Sequence, residues 1–185
     1  MTRIIAGSAR GLPLEVPGSG TRPTSDRVRE SLLGALEAMD AIADARVLDL
    51  FAGSGALGLE CASRGARSVD LVEKAGTAAR VATRNAEKVA QSGAVLARVH
   101  AVAAATFLKN PHTAWDLVFL DPPYDINDDD LNLVIQLLAE RLSEDAIVIV
   151  ERAKRSAGPD WAAAGLESMR TKTYGDTTLW WAQPA

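Results

Sequence analysis

An acid, two prolines and an aromatic residue follow one another at Asp121-Pro122-Pro123-Tyr124. They come directly after residues 115–120, an apolar run with a single acid in it, which predicts a strand buried on both faces. Proline restricts the residue before it, so we expect Asp121 to be held extended at the carboxyl end of that strand. Acceptor oxygens beside an aromatic ring suit a planar amine such as that of a nucleobase. A strand-ending turn with an aspartate cap and a core tyrosine is the alternative.

A glycine-rich stretch follows an earlier predicted strand and opens a predicted helix. It reads Asp49-Leu50-Phe51-Ala52-Gly53-Ser54-Gly55-Ala56-Leu57-Gly58, which also satisfies the dinucleotide-binding spacing G-x-G-x-x-G. Glu73 ends the next predicted strand, 20 residues after Gly53, where an acid can accept hydrogen bonds from two ribose hydroxyls. These two features fit a nicotinamide cofactor and an adenosylmethionine cofactor equally well.

Three further features favour adenosylmethionine. Asp49 lies just before the glycines, where it suits a cationic amino-acid tail and would repel a pyrophosphate. The acid-Pro-Pro-aromatic turn ends the fourth strand of the predicted parallel sheet, and an antiparallel hairpin is predicted to close that sheet. Together these features resemble the class I adenosylmethionine-dependent methyltransferases that methylate exocyclic or amide nitrogens through an (Asp/Asn)-Pro-Pro-(Tyr/Phe) motif.

The resemblance implies an α/β, Rossmann-like fold with a mostly parallel seven-stranded sheet, a C-terminal antiparallel hairpin and a small N-terminal β-hairpin extension. It implies S-adenosylmethionine as the cofactor. The implied cofactor-binding residues are Asp49, Phe51, Ala52, Gly53, Ser54, Gly55, Glu73, Lys74 and Ala103. The implied catalytic residues are Asp121, Pro122, Pro123 and Tyr124, which would hold the target base.

The N-terminal motifs narrow the resemblance. They are Arg3-Ile4-Ile5-Ala6-Gly7, Gly11 with Leu14, and Arg22-Pro23-Thr24-Ser25-Asp26-Arg27-Val28-Arg29-Glu30-Ser31-Leu32. These motifs resemble the opening motifs of the RsmD family, and the similarity covers nearly the whole chain. The resemblance implies methyl transfer to guanine N2 at one position of 16S rRNA, on the assembled small ribosomal subunit. That family often has an aspartate after the third strand, whereas residues 102–105 read Val-Ala-Ala-Ala, so we expect backbone groups to recognise the adenine.

The N-terminal residues are the candidates for contacting RNA. Residues 1–30 carry a local surplus of two positive charges in a chain whose net charge is -4. A basic arm on an acidic body is consistent with binding a folded RNA, although a helix with solvated arginines would look similar. The predicted RNA-binding residues are Arg10, Arg22, Thr24, Arg27 and Arg29. Weaker candidates for phosphate contacts follow the fifth strand at Arg152, Lys154 and Arg155.

The elements that must position these residues alternate between strand and helix from Val47 onward, which indicates a parallel sheet. Strands are predicted near residues 46–50, 68–73, 95–100, 115–120 and 146–150. Helices are predicted near residues 56–64, 76–91, 103–109 and 129–142. A C-terminal hairpin is predicted from residues 166–173 and 177–182. A capped helix is predicted to start after Thr24 or Ser25, with Val28, Leu32, Leu36 and Met39 as its apolar positions, and an N-terminal hairpin is predicted from residues 4–7 and 12–16.

Composition limits the remaining possibilities. The 185 residues are 48% hydrophobic and 24% charged, as in an ordinary globular protein. We expect an extension at residues 1–40, a methyltransferase domain at residues 41–185, a cytoplasmic location and a monomer. One cysteine, Cys61, excludes an internal disulfide, and no metal site is expected from two histidines. The alternatives are a methyltransferase for adenine N6 in DNA or for a protein glutamine, and a non-catalytic RNA-binding assembly factor.

Overall fold

The strands and helices alternate as the apolar runs predict. In a computed structural model that describes residues 1–18, 24–110 and 114–185, the strands are β1 (Thr2–Arg3), β2 (Pro13–Leu14), β3 (Arg46–Asp49), β4 (Ser68–Val72), β5 (Arg98–His100), β6 (Trp115–Leu120), β7 (Leu142–Ala153), β8 (Leu166–Tyr174) and β9 (Thr177–Pro184). The helices are α1 (Asp26–Ala38), α2 (Ala56–Ser63), α3 (Gly76–Ala90), α4 (Ala104–Lys109) and α5 (Asp128–Ala139), with a short 3-10 turn at Ala162–Ala164.

Strands β3 to β9 form one seven-stranded sheet in the order β5-β4-β3-β6-β7-β9-β8. The first five strands of that order are parallel, and β9 pairs antiparallel with both β7 and β8. The predicted fold class is therefore confirmed. Strand β7 extends beyond the predicted residues 146–150 because β9 pairs with it as far as Ala153.

Helices cover both faces of the sheet, and successive residues of each strand point to opposite faces. Val47 and Phe119 pack on the face covered by α1, α2 and α3, whereas Leu48 and Val118 pack on the face covered by α4 and α5. Parallel strands bury both faces in this way, which explains their uninterrupted apolar runs. Because β3, β4 and β6 are parallel, the strand ends that bear Asp49, Glu73 and Asp121 meet at one edge of the sheet.

The N-terminal hairpin is shorter than predicted and pairs different residues. Strands β1 and β2 contain two residues each, whereas the sequence predicts strands at residues 4–7 and 12–16. The backbone N–H groups of Ile5 and Ala6 donate to the buried carboxylate of Glu60 at 2.9–3.1 Å instead of to a partner strand. A side chain from α2 thus takes the place of a sheet ladder.

Helix α1 begins as predicted, but one of its arginines does not face solvent. The Ser25 hydroxyl accepts a hydrogen bond from the Val28 N–H at 3.3 Å, which caps the helix. Arg29 is only 1% exposed and donates to the Arg3 carbonyl and to Asp26, each at 2.8 Å. The prediction that Arg29 contacts RNA is therefore wrong, because its guanidinium is enclosed by the protein and its Nη2 donates to protein acceptors.

The N-terminal residues share a core with the rest of the chain. Ile4, Leu14 and Leu33 belong to the same buried cluster as Val47 of the central sheet. The predicted boundary after residue 40 stays a prediction. Across residues 1–18, 24–110 and 114–185, no helix has the length and hydrophobicity that a membrane span requires.

Candidate active site

The buried carboxylate of Asp49 ends β3 beneath the glycine loop. Its Oδ2 accepts a hydrogen bond from the Gly58 N–H at 3.2 Å, and its Oδ1 has no hydrogen-bond partner within the described part of the chain. Burial raises the pKa of Asp49 to about 7; the Gly58 N–H opposes that rise and the Glu73 carboxylate adds to it. A buried acceptor without a partner fits a cationic group of a bound ligand.

Glycines shape the loop above Asp49. Gly53 and Gly55 have φ angles of 55° and 84°, a left-handed conformation that glycine adopts without strain. A Cβ atom on Gly58 would lie 2.4 Å from Leu71 Cδ2, so only glycine allows α2 to pack this closely on β4. A Cβ atom on Gly53 would meet nothing within 4 Å, so the backbone of the loop faces open space where a ligand can approach.

Glu73 joins the glycine loop to the start of α3. Its carboxylate accepts hydrogen bonds from the Gly53 N–H and from the Ala75 N–H, both at 2.9 Å. Each carboxylate oxygen has a further lone pair, so Glu73 can still accept from ribose hydroxyls while it holds the loop. Glu73, the residue predicted to bind the ribose, thus lies close to Asp49, the residue predicted to bind the cationic amino-acid tail of the cofactor.

The predicted adenine side of the site is apolar. Ala103 is exposed and extended at the start of α4, and Lys74 is exposed beside Glu73. Phe51 and Val102 are partly buried against the core that includes α4. Residues 101–105 carry no side chain that can form a hydrogen bond, so adenine recognition by backbone groups stays a prediction.

The acid-Pro-Pro-aromatic turn presents its ring to solvent. Tyr124 is 64% exposed, so it is not the core tyrosine of the alternative interpretation. Pro122 is buried and Pro123 is exposed, and the Pro123 carbonyl accepts a hydrogen bond from the Ile126 N–H at 3.1 Å. The turn is therefore closed on itself, with Asp121 on its buried side and an aromatic surface on its open side.

Thr24 connects Asp121 to a second acid. The Thr24 hydroxyl lies 3.1 Å from Asp121 Oδ2 and 2.8 Å from Glu151 Oε2. Burial raises the pKa of Asp121 well above its usual range, and the Glu151 carboxylate raises it further, whereas the Thr24 hydroxyl lowers it. Burial also raises the pKa of Glu151. Two cavities open beside this group, one lined by Tyr124 and Ser156 and the other by apolar residues of α1 and α2.

The remaining predicted RNA-binding residues do not lie together. Arg10 is exposed, and its neighbour Ala9 binds the Ser63 hydroxyl at the end of α2, which is the opposite edge of the sheet from Asp121. Arg27 is exposed on the first turn of α1, just after Thr24. Arg22 lies outside the described residues. Thr24 is placed against Asp121, so its hydroxyl is occupied by two carboxyl groups.

The weaker candidates after β7 also differ from one another. Lys154 and Arg155 are exposed, and their neighbours Ala153 and Ser156 line a cavity together with Asp121 and Tyr124. Arg152 is buried and donates to the Asp128 carboxylate and the Ile126 carbonyl, so its suggested phosphate contact is wrong.

Glu151 is the site residue that the sequence reasoning missed. It follows the buried run Ala146 to Val150 in the same way that Asp121 follows β6. The rule that an acid at the carboxyl end of a buried parallel strand faces the ligand edge could have identified it. Its contact with Thr24 has no sequence signal, because the two residues are 127 positions apart.

Solved structures and curated proteins resemble this chain over most of its length. A structure described as a putative methyltransferase yhhF from Escherichia coli has a TM-score of 0.83 and 36% identity, covering 100% of this chain and 98% of that one. Magnesium protoporphyrin IX methyltransferase from Synechocystis, with bound SAM, shares the fold alone, with a TM-score of 0.72 at 15% identity over 90% of this chain and 87% of that one.

Among curated proteins, ribosomal RNA small subunit methyltransferase D of Escherichia coli is 42% identical over 152 residues, which are 80% of this chain and 73% of that protein. The protein of the same name from Haemophilus influenzae is 41% identical over 157 residues, covering 82% and 79%.

The sheet order and the glycine loop define a class I adenosylmethionine-dependent methyltransferase fold. The family model described as Conserved hypothetical protein 95 matches residues 2–183. The chain belongs to the RsmD family of methyltransferases.

Proposed function

We propose that this chain methylates the exocyclic N2 of a specific guanine in 16S rRNA, within the assembled small ribosomal subunit. The observation that carries the proposal is the Asp121 carboxylate, fixed by Thr24 at the ligand edge beside the exposed ring of Tyr124. Family membership supports it, since two curated relatives are named ribosomal RNA small subunit methyltransferase D.

The chain's own groups would act mainly by positioning the amine. The lone pair of a guanine amine is delocalised into the ring, so it is a poor nucleophile until its hydrogens are held away from the ring plane. A flipped guanine stacks on Tyr124, and its N2–H groups donate to Asp121 and to the Pro122 carbonyl. Orientation of this kind lowers the barrier of a two-component reaction by several kcal/mol.

The positions of Asp49 and Glu73 fit the binding of S-adenosylmethionine. The unpartnered Asp49 Oδ1 would accept from its ammonium group, and Glu73 from its ribose hydroxyls. When bound, the cofactor supplies an electrophilic methyl group on a sulfonium. Phe51, Ala52, Ser54, Gly55, Lys74 and Ala103 are the further residues proposed to line its binding site.

Exposed cations on α1 and β8 would guide the RNA toward Asp121. Arg170 lies 4.0 Å from the Trp181 ring centroid, and Lys172 lies 4.8 Å from that of Tyr174. Tyr174 bonds Ser31 of α1 at 2.8 Å, and Ser31 is one helical turn after Arg27. We call Arg27, Arg170 and Lys172 the cationic strip; within the described part of the chain, none of the three forms an ion pair, so all three are available to phosphates.

The decisive experiment is transfer of labelled methyl from S-adenosylmethionine to four acceptors. Small ribosomal subunits, naked 16S RNA, DNA and protein are each incubated with the chain, and the labelled product is identified by nucleoside or amino-acid analysis. We expect label on guanine N2 in small subunits. Label on adenine N6 or on glutamine would replace the guanine proposal, and no label in any acceptor would support the non-catalytic assembly factor.

A further inference from the structure

A threonine hydroxyl stands between the two buried carboxyl groups of the site. Thr24 Oγ1 is within hydrogen-bond distance of Asp121 Oδ2 and of Glu151 Oε2. A hydroxyl has one hydrogen, and sharing it between two oxygens makes both hydrogen bonds weak. Both contacts are full hydrogen bonds only if one carboxyl group carries a proton and donates it to Thr24 Oγ1.

We infer that Asp121 and Glu151 hold one proton between them across Thr24, and that Thr24 and Glu151 are positioning residues that control the charge on Asp121. The inference rests on the proposed function, because it gives Asp121 the role of accepting from the guanine amine. An amine that donates to Asp121 favours the protonation state in which Asp121 is ionised and Glu151 is protonated. In that state Thr24 donates to Asp121, and Glu151 donates to Thr24.

The surroundings of the pair favour a shared proton. Both carboxyl groups are largely withdrawn from solvent, and no described cation forms an ion pair with either of them. Asp49 faces Asp121 from β3 and adds a further negative charge when it is ionised. Arg152 follows Glu151 directly, but its guanidinium is turned away to Asp128 and Ile126. Holding two negative charges here would be costly, whereas one shared proton leaves a single charge.

The shared proton also provides for the proton that the amine must lose. As the bond between N2 and the methyl carbon forms, the bond from that carbon to sulfur breaks and its electron pair stays on sulfur. The positive charge on N2 is removed when one N2 proton passes to the Asp121 carboxylate. Glu151 then releases its own proton to water through the cavity lined by Tyr124 and Ser156, so one proton reaches solvent per methyl transferred.

Four variants separate this arrangement from a simple structural contact. Thr24→Val keeps the side-chain shape and removes the hydroxyl, whereas Thr24→Ser keeps the hydroxyl. Glu151→Gln keeps a donor toward Thr24 and removes the charge. Glu144→Gln makes the same chemical change at an exposed position of β7 and serves as the matched control.

The first measurement needs neither cofactor nor RNA. Carbon-13 NMR of the carboxyl groups follows the titration of Asp121 in the full-length protein. We expect Asp121 and Glu151 to titrate together in two steps in the wild type. Thr24→Val should move the titration of Asp121 to higher pH, because a hydrogen bond that favours the carboxylate is lost. Glu151→Gln should move the titration of Asp121 to lower pH and leave a single titration step, because the neighbouring charge is removed.

The second measurement is single-turnover methylation of small subunits as a function of pH. The acid limb of the rate should shift in the same opposite directions for Thr24→Val and Glu151→Gln, with KM for the subunit unchanged. Thr24→Val should lower the rate at neutral pH by about tenfold, because less Asp121 is ionised. Thr24→Ser should shift the acid limb back from its position in Thr24→Val toward that of the wild type, and Glu144→Gln should follow the wild-type profile.

Two results would overturn the inference. One is a wild-type Asp121 that titrates in a single step and is unaffected by Glu151→Gln. The other is equal behaviour of Thr24→Ser and Thr24→Val in both measurements. A wild-type enzyme that leaves guanine unlabelled overturns the proposed function instead, while the NMR titration decides the shared proton by itself.

Discussion

At the scale of single residues, Asp49 is buried where its ionised carboxylate is poorly solvated. Its pKa of about 7 in the folded chain lies above the ordinary value of 3.8, chiefly because of burial. The folded state therefore binds a proton that the unfolded state has released over this interval. Ionising Asp49 lowers stability as pH rises from about 4 to about 7, and the loss persists at higher pH.

Asp49→Asn should remove this pH dependence of stability and weaken the binding of S-adenosylmethionine. Without ligand, thermal unfolding should show the variant gaining stability over the wild type between pH 5 and pH 8, since the neutral amide has no ionisation cost. Its affinity for S-adenosylmethionine should be weaker by about tenfold or more at pH 8 and flat with pH, because a charged hydrogen bond is lost. Calorimetric titration from pH 6 to pH 8 measures this, and wild-type affinity that does not rise with pH would exclude Asp49 as the ammonium acceptor.

Asp121 should be needed for turnover and not for cofactor binding. Asp121→Ala removes the acceptor for the amine while leaving Asp49 and Glu73 in place, so methyl transfer should fall by at least about 100-fold. The dissociation constant for S-adenosylmethionine should change little. Asp125→Ala, an exposed acid in the same turn, is the matched control and should keep wild-type activity. Near-normal turnover in Asp121→Ala would remove Asp121 from the mechanism.

At the scale of elements, the contact of α2 with β4 depends on one glycine. An alanine Cβ at Gly58 would lie 2.4 Å from Leu71 Cδ2, 3.1 Å from Val69 Cγ1 and 3.4 Å from Asp49 Cβ. Gly58→Ala should therefore push α2 away from the sheet and cost about 2 kcal/mol, or roughly 4–8 °C in Tm. The displacement of Asp49 should weaken cofactor binding as well.

Gly34→Ala is the control for this prediction. Gly34 lies within α1, and a Cβ atom there would meet nothing within 4 Å. The substitution should raise stability by about 0.5–1 kcal/mol, since alanine favours the helix. Equal effects of the two substitutions in thermal unfolding would contradict the assigned packing.

The elements were predictable where local pattern and environment agree. The buried run at β6 and the loop after β3 have apolar or glycine spacings that determine their structure within a few residues. The N-terminal hairpin was not predictable to the residue, because Glu60 satisfies the N–H groups of Ile5 and Ala6 from a distant helix. Arg29 illustrates a different failure: its spacing from Leu33 already places it on the buried face, but its charge suggested the surface.

The position of the site was predictable from the sequence, whereas the bridge between its two acids was not. Asp49, Glu73 and Asp121 stand at the carboxyl ends of strands that are predicted to be parallel, so their common edge follows from the pattern alone. The bridge from Thr24 to Glu151 was not, because it joins the start of α1 to the end of β7 through packing that no local signal encodes. The predicted roles of these residues with ligands stay predictions.

At the scale of the whole molecule, charge is distributed unevenly. The chain has a net charge of -4, yet Arg27, Arg170 and Lys172 of the cationic strip are exposed and form no ion pair within the described residues. In the sheet register, Lys172 pairs with Leu179, which in turn pairs with Glu151. RNA phosphates bound by Lys172 would thus be held two strands away from Glu151 and three strands away from β6, at whose end lies Asp121, the proposed acceptor of the guanine amine.

Charge reversal tests this surface. Arg27→Glu combined with Lys172→Glu should weaken binding to small subunits and lower the slope of log affinity against log salt by about 1.5, as expected for two lost phosphate contacts. Lys109→Glu, at the end of α4, reverses a single charge at the opposite edge of the sheet, so it is the control for each single reversal and should leave the slope unchanged. Filter binding at several salt concentrations gives both slopes; identical slopes for the double variant and the wild type would return the strip to an ordinary solvated surface.

The bridge at Thr24 also determines when in its own synthesis the protein can become active. Thr24 is 97 residues from Asp121 and 127 residues from Glu151, and Ile5 is 55 residues from its partner Glu60. Contacts between such distant residues form late because each closes a long loop. We therefore expect a chain that emerges from its N-terminus to carry its first 40 residues undocked until α2 appears, and to lack the bridge from Thr24 to Glu151 until β7 has emerged.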